Sequence, residues 1–112
     1  MTQIPQTSNM DQCIAACTAC YQTCLKMAMT HCLQAGGKHV QPEHMQLMMA
    51  CVEICRTAAN VMLIGSPLHK KVCAACADIC NACADNCESI GDMQECVTAC
   101  RNCAQSCQAM AV

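Results

Sequence analysis

Cysteine and methionine recur along this chain at the spacing of one helix face. Sixteen of the 112 residues are Cys and ten are Met, and the sulfur atoms of both side chains bind soft metal ions. Within four segments, fifteen of the cysteines follow one another at alternating steps of three and four residues. This pattern predicts a chain that binds several soft metal ions. The fifteen are Cys13, Cys17, Cys20, Cys24, Cys51, Cys55, Cys73, Cys76, Cys80, Cys83, Cys87, Cys96, Cys100, Cys103 and Cys107.

Cysteines one helical turn apart on the same face can hold an ion between them. One or two such residues would be ordinary, because a free Cys packs as a small buried apolar side chain. Seven Cys-x3-Cys pairs instead indicate a store for several ions. The pairs are Cys13/Cys17, Cys20/Cys24, Cys51/Cys55, Cys76/Cys80, Cys83/Cys87, Cys96/Cys100 and Cys103/Cys107.

Other candidate ligands lie near the ends of the predicted helices. His31, His44, Met48 and Met93 continue the same stripe, whereas Cys32 is the one cysteine off it. We expect all five to gather with Cys87 at one end of the fold, where metal ions would enter and leave.

Histidines near helix ends have two interpretations. His31, His44 and His69 lie on the stripe, and each is either a metal ligand or a capping residue. His39 is predicted to be a solvated loop residue, and off-stripe polar residues such as Asn86 are predicted to face solvent.

The elements that must position these residues are helices, because alternating steps of three and four form the seam of a helical bundle. The start and stop signals of the helices are a capping pattern that begins at Ser8, the glycine pair Gly36-Gly37, Pro42 and Gly65. After a polar leader at 1–8, the sequence predicts one bundle domain at 9–112, with helices at about 9–35, 42–64, 67–90 and 92–110. Since the loops are short, the fold class is all-α, an antiparallel up-down-up-down four-helix bundle with a cysteine-lined core.

Composition excludes several classes of protein. The chain has no Phe or Trp and one Tyr, so sulfur side chains must fill the core, and bound metal must supply much of the stability. The net charge of −2, with no basic stripe, argues against nucleic acid. No apolar run was judged long enough to span a membrane, so no membrane partner is predicted.

The cysteine content alone would also suit a secreted disulfide scaffold. Disulfides need closely spaced Cα atoms, however, and neighbouring bundle helices are about 8–10 Å apart. Residues 1–7 show no export signal. We therefore predict reduced thiols and a cytoplasmic location.

Cu(I) is the metal that the ligand set favours, because it accepts both thiolate and thioether, whereas zinc prefers four tetrahedral N or S ligands. Burying many thiolates without compensating positive charge would cost a prohibitive amount of free energy. A monovalent ion at about one per thiolate neutralises the core. Iron–sulfur clusters fit poorly, since Cys73 to Cys83 departs from the ferredoxin spacing. Multiple Cu(I) ions are predicted.

Over Cys51–Ala109 the chain resembles the bacterial four-helix-bundle copper storage proteins of the signal-less, cytosolic type. The resemblance implies Cu(I) held along the bundle axis mainly by thiolates, His or Met near an open end, and commonly a homotetramer. His44 and Met48 depart from it, since relatives often have Cys there. The matching motifs are Cys51-x3-Cys55-Arg56-Thr57-Ala58-Ala59, Gly65-Ser66, Cys73-x2-Cys76-x3-Cys80-x2-Cys83-x3-Cys87, Cys96-x3-Cys100-x2-Cys103-x3-Cys107 and, in the first helix, Cys13-x3-Cys17-x2-Cys20-x3-Cys24.

The predicted function is cytosolic storage and buffering of Cu(I), with copper ions as the ligand. The alternative is a metallothionein-like protein that sequesters zinc or cadmium. A thiol oxidoreductase is disfavoured, because its reactive pair lies at a helix N-terminus and the pairs here lie inside helices; no enzyme activity is predicted. The sequence does not identify a copper chaperone or efflux protein as donor or acceptor.

Overall fold

The structure is a computed structural model that describes residues 8–112, so the predicted leader at 1–8 lies outside the described residues except for Ser8. Helices account for most of this part of the chain, and it contains no strand. The prediction of an all-α four-helix bundle is confirmed. The first helix consists of α1 (Asn9–Met27), a π-helical turn (Ala28–Cys32) and a last α-helical turn (Leu33–Ala35), and a 3-10 segment (Gly37–Val40) leads to α2 (Pro42–Ile64), α3 (His69–Ile90) and α4 (Gln94–Met110).

Local sequence explains where the first two helices begin and end. The Ser8 hydroxyl accepts a hydrogen bond from the Asp11 backbone N–H at 3.0 Å and caps α1. Pro42 occupies the first turn of α2, where a missing N–H does no harm. Gly65 ends α2 in the left-handed conformation at φ 82°, which glycine adopts without a steric penalty.

The other two helices begin two residues later than predicted. Ser66 accepts a hydrogen bond from the Leu68 N–H at 3.1 Å, and the resulting turn delays α3 until His69. Asp92 has a φ of 55°, in the left-handed region and not in the extended conformation typical of an N-cap, and Met93 takes the N-cap position of α4. Helix α4 therefore begins at Gln94.

A π-helical turn changes which face the end of the first helix buries. The prediction that Cys32 lies off the stripe is wrong: Cys32 is fully buried. Because a π turn contains an extra residue, the buried positions after Cys24 are Ala28 and Cys32, at steps of four. Met27 and His31, which regular spacing predicts in the core, are only partly buried.

The four helices pack as a square in which α1 contacts α2 and α4, and α3 contacts the same two helices. This arrangement leaves one central axis toward which all four stripes face. All sixteen cysteines have no exposed surface, and buried alanines such as Ala58, Ala77 and Ala104 lie beside them. Short side chains on every helix therefore make a narrow core whose principal contents are thiols.

Helix α2 is long and apolar enough, by length and composition, to cross a membrane. The prediction that no apolar run has this length is therefore wrong. Its stripe from His44 to Met62 is nonetheless buried within the bundle. A core helix of a bundle has the same composition as a membrane span, so α2 alone does not indicate a membrane.

Candidate metal centre

The cysteine sulfur atoms form a continuous row along the bundle axis. Neighbouring Sγ atoms from different helices approach one another closely, from 3.4 Å between Cys55 and Cys80 to 3.9 Å between Cys76 and Cys103. A disulfide would bring the two sulfurs to about 2.05 Å, and all sixteen cysteines are free thiols. The core is thus a set of separate thiols at distances that one bound ion can bridge.

Four groups of thiols bring their Sγ atoms within 4.8 Å of one another. Each group draws on at least three helices, and only two of them contain a Cys-x3-Cys pair. The pairs predicted from the sequence are therefore parts of sites that form between helices. The groups are Cys13/Cys73/Cys107, Cys17/Cys76/Cys103/Cys107, Cys20/Cys55/Cys80/Cys103 and Cys20/Cys24/Cys51/Cys100.

Three cysteines connect these groups. Cys20, Cys103 and Cys107 each belong to two of them. A thiolate has several lone pairs and can bridge two metal ions. The groups therefore adjoin as a linked series of sites, as expected for a store of many ions, and not as four isolated centres.

Hydrogen bonds between neighbouring thiols lower the pKa of some cysteines and raise the pKa of others. Cys100 lowers the pKa of Cys24 to about 2, and Cys107 lowers the pKa of Cys13 to about 4, since a donated hydrogen bond stabilises a thiolate. At Cys73 burial dominates and raises the pKa to about 11. Some positions thus favour the thiolate that binds metal before any ion arrives, and the others release a proton when it does.

One end of the row has a different chemistry. Cys32 Sγ lies 3.4 Å from His44 Nε2 and 3.7 Å from Met93 Sδ. Met48 Sδ lies 3.6 Å from Cys87 Sγ. We call these five residues, Cys32, His44, Met48, Cys87 and Met93, the mixed end, because it joins thiol, thioether and imidazole groups. The structure thus brings together five of the six residues predicted to meet there, and the sixth, His31, is only partly buried.

Two further histidines lie over the mixed end. His39 is partly buried, its Nε2 lies 3.0 Å from the Gly91 carbonyl, and its ring packs edge-on at 5.1 Å from that of His31. The prediction that His39 is a solvated loop residue is therefore wrong. The 3-10 segment places His39 against the turn before α4. The local sequence around His39 does not reveal such a tertiary contact. The Nε2 atom of His31 is buried without a hydrogen-bond partner.

The opposite end is simpler. His69 Nδ1 lies 2.8 Å from the Ser66 carbonyl oxygen, which is a local contact and not a helix cap, because no side chain caps the start of α3. Met62 Sδ contacts Cys73 Sγ at 3.9 Å. Met110 is only partly buried.

Sequence reasoning missed one polar residue of the site. Asn86 was expected to face solvent, but it is half-buried, and its Oδ1 lies 2.6 Å from His44 Nδ1. Its position one residue before Cys87 places it at the border of the stripe. That border position is the only signal in the sequence that could have identified it.

Comparisons with known proteins agree with this geometry. A profile of the family described as Csp, copper storage protein, matches residues 6–112. The chain is 37% identical over 69 residues to an uncharacterized cysteine-rich protein, YhjQ, of Bacillus subtilis (strain 168), an alignment of 62% of this chain and 63% of the relative. The chain thus spans less than two thirds of the length of this relative.

Solved structures share the fold over nearly the whole chain. The Nmul_A1745 protein from Nitrosospira multiformis is 57% identical, with a TM-score of 0.90 over 92% of this chain and 94% of its own. The Cu(I)-bound copper storage protein BsCsp3 is 36% identical, with a TM-score of 0.85 over 94% and 100%. Apo-Csp3 from Bacillus subtilis is also 36% identical, with a TM-score of 0.80 over 91% and 98%.

The family profile covers almost all of the chain, and the matched range includes all sixteen buried cysteines. At the level of the family, the prediction of a copper storage protein is confirmed, and one of the similar structures holds Cu(I). The chain belongs to the copper storage protein family.

Proposed function

We propose that this chain stores and buffers Cu(I), which its core thiols hold as a linked series of sites. The observation that carries the proposal is the sharing of Cys20, Cys103 and Cys107 between neighbouring groups of buried thiols. Bridging sulfurs let many monovalent ions share one row of ligands. The likeness to BsCsp3, solved with Cu(I) bound, supports the choice of ion.

Charge separates Cu(I) from the alternative cargo, zinc or cadmium. Three of the groups contain four thiols, the number that a tetrahedral zinc site requires. A divalent ion with four thiolates retains two negative charges, which are unfavourable in a core without buried Lys or Arg among the described residues. One Cu(I) per thiolate leaves the core neutral, so the monovalent ion fits burial better.

Anaerobic titration of the reduced protein with Cu(I), followed by native mass spectrometry, tests the proposal. We expect saturation above four ions per chain, since the sixteen buried thiols at about one Cu(I) per thiolate hold more than one ion for each of the four groups. Zinc and cadmium titrations are the matched comparison, and Cu(I) should displace both. Saturation with Cu(I) at four ions or fewer, or displacement of Cu(I) by zinc, would contradict the proposal.

The cellular location of the chain, its lack of enzymatic activity and its oligomeric state are also proposals. Free thiols in the core suit a reducing compartment, and we propose a cytoplasmic location. Storage requires ligands and no reacting substrate, so we propose that the chain is not an enzyme.

Exposed Leu63, Ile64 and Leu68, with 60–76% of their surface accessible, support association of copies into the homotetramer that the family resemblance implies. The same native mass spectra report this oligomeric state.

We further propose the mixed end as the place where Cu(I) enters and leaves. Thioether and imidazole bind Cu(I) more weakly than thiolate does, so ions held there exchange faster than ions in the thiol core. The mixed end therefore combines thiolates, which hold Cu(I) tightly, with thioether and imidazole groups, from which Cu(I) leaves more easily. The opposite end offers fewer such groups, chiefly Met62 and Met110.

Changing His44 and Met48 to Leu should slow Cu(I) loading and removal by a chelator while barely changing the final capacity. The reason is that the two residues serve the exchange of ions and few ions reside on them. Stopped-flow loading and chelator-transfer rates provide the measurement, and Met62→Leu with Met110→Leu is the matched control at the other end. Slower exchange in the control and normal exchange in the first variant would move the site of exchange to the opposite end.

A further inference from the structure

His44 is unusual in this core because it is the one buried polar side chain among residues 8–112, with 1% of its surface exposed. A buried imidazole is unfavourable unless its ring nitrogens have partners. Both nitrogens have one: Nδ1 faces the Asn86 side chain, and Nε2 faces Cys32. The ring thus links a polar residue on α3 to the end of the thiol row.

The Asn86 contact determines which nitrogen of His44 carries the proton. Asn86 Oδ1 lies 2.6 Å from Nδ1, and a carbonyl oxygen can only accept a hydrogen bond. With the Asn86 amide in this orientation, the neutral ring carries its proton on Nδ1. Nε2 keeps its lone pair and directs it at the Cys32 sulfur, 3.4 Å away.

The distances at this point suit one shared ion. Metal bonds of about 2.3 Å to sulfur and about 2.0 Å to imidazole nitrogen, the values for zinc, separate two ligand atoms on the same ion by about 3.5–4.0 Å. Cys32 Sγ lies 3.4 Å from His44 Nε2 and 3.7 Å from Met93 Sδ. Both distances from Cys32 Sγ are therefore close to those between two ligand atoms on one ion.

We propose that Asn86 is a positioning residue that fixes His44 as the Nε2 ligand of a Cys32–His44–Met93 Cu(I) site, separate from the thiol core. The inference rests on the proposed storage of Cu(I) and specifies one site within it. One thiolate, one neutral imidazole and one thioether around a monovalent ion have no net charge, which suits a buried position. Residues that orient a ligating histidine in this way tune metal affinity as well as geometry.

Nuclear magnetic resonance of protein labelled with 15N only at histidine tests the inference directly. Long-range 1H–15N spectra distinguish a protonated from an unprotonated ring nitrogen, and loss of the signal in a His44→Gln variant assigns His44. In the copper-free protein we expect Nδ1 protonated and Nε2 unprotonated. Filling with Cu(I) should then shift the Nε2 resonance of His44.

Two variants of Asn86 separate positioning from packing. Asn86→Leu removes the acceptor oxygen at similar size, and it should release the tautomer preference of His44 and lower the affinity for about one ion by about 10- to 100-fold, as measured by chelator competition at equilibrium and not by a rate. Asn86→Asp keeps an acceptor oxygen and should restore both properties. Circular dichroism of each variant checks that the bundle is intact.

The outcomes separate this inference from the storage proposal. If wild-type protein fills above four ions while the His44 nitrogens do not respond to Cu(I), storage stands and the site is wrong. If His44 responds but Asn86→Leu leaves its tautomer and chelator retention unchanged, the positioning role is wrong. If the wild type takes up few Cu(I) ions in total, the storage proposal itself fails. Should Asn86→Leu not fold, the tautomer and copper response of wild-type His44 still decide the matter.

Discussion

Filling with Cu(I) is expected to raise the midpoint of thermal unfolding by about 20 °C or more. Each site held at 100-fold excess over its dissociation constant adds about 2.7 kcal/mol, and 1 kcal/mol shifts the midpoint by about 4–8 °C in a domain near this size. The copper-free core consists mainly of small thiol and alanine side chains, which bury little apolar surface. Metal bonds should therefore supply a large share of the stability of the loaded protein.

Circular dichroism melts under anaerobic, reducing conditions measure this difference. The copper-free protein should still be helical at low temperature, because Ala, Gln, Met and Lys are strong helix formers. Removing Cu(I) with a chelator should return the midpoint to its original value, which controls for irreversible effects of loading. Equal midpoints with and without Cu(I) would mean that the metal does not lie in the core.

Replacing Cys20 and Cys103 together with Ala should cause a larger loss of bound copper than two such changes at one end of the thiol row. Between them the two residues belong to three of the four groups of thiols. Losing them interrupts the linked series in its middle, where each sulfur serves neighbouring ions. Native mass spectrometry after saturation counts the ions that remain.

The matched control is Cys13→Ala with Cys73→Ala. These two cysteines are also fully buried, so the packing loss is similar, but they share a single group at one end of the row. The control should lose fewer ions and less of the copper-dependent stability. Equal losses in the two variants would contradict a linked series and indicate a set of independent sites.

The periodicity of the sequence predicts the fold well because it reports which face of each helix is buried. The stripe, the capping pattern at Ser8 and the glycines located the helices to within about two residues at their ends. Periodicity within one helix, however, says nothing about how far the next helix is shifted along the axis. For this reason the sequence suggests Cys-x3-Cys pairs, whereas the structure forms groups across helices.

The remaining differences arise from tertiary contacts. The π-helical turn rotates Cys32 into the core and His31 partly out of it. Such a turn has no strong local signal, since it is retained only where packing and the burial of a ligand favour it. The contacts of His39 with Gly91 and of Asn86 with His44 likewise join segments far apart in the chain.

The linear form of the thiol row has a consequence for the order in which ions move. An ion in a row with one point of exchange advances only as each bond to one sulfur is replaced by a bond to the next. Ions that entered first then lie deepest, and ions that entered last are nearest to release. A brief demand for copper would draw on recent arrivals, and the deep ions would form a reserve whose release takes longest.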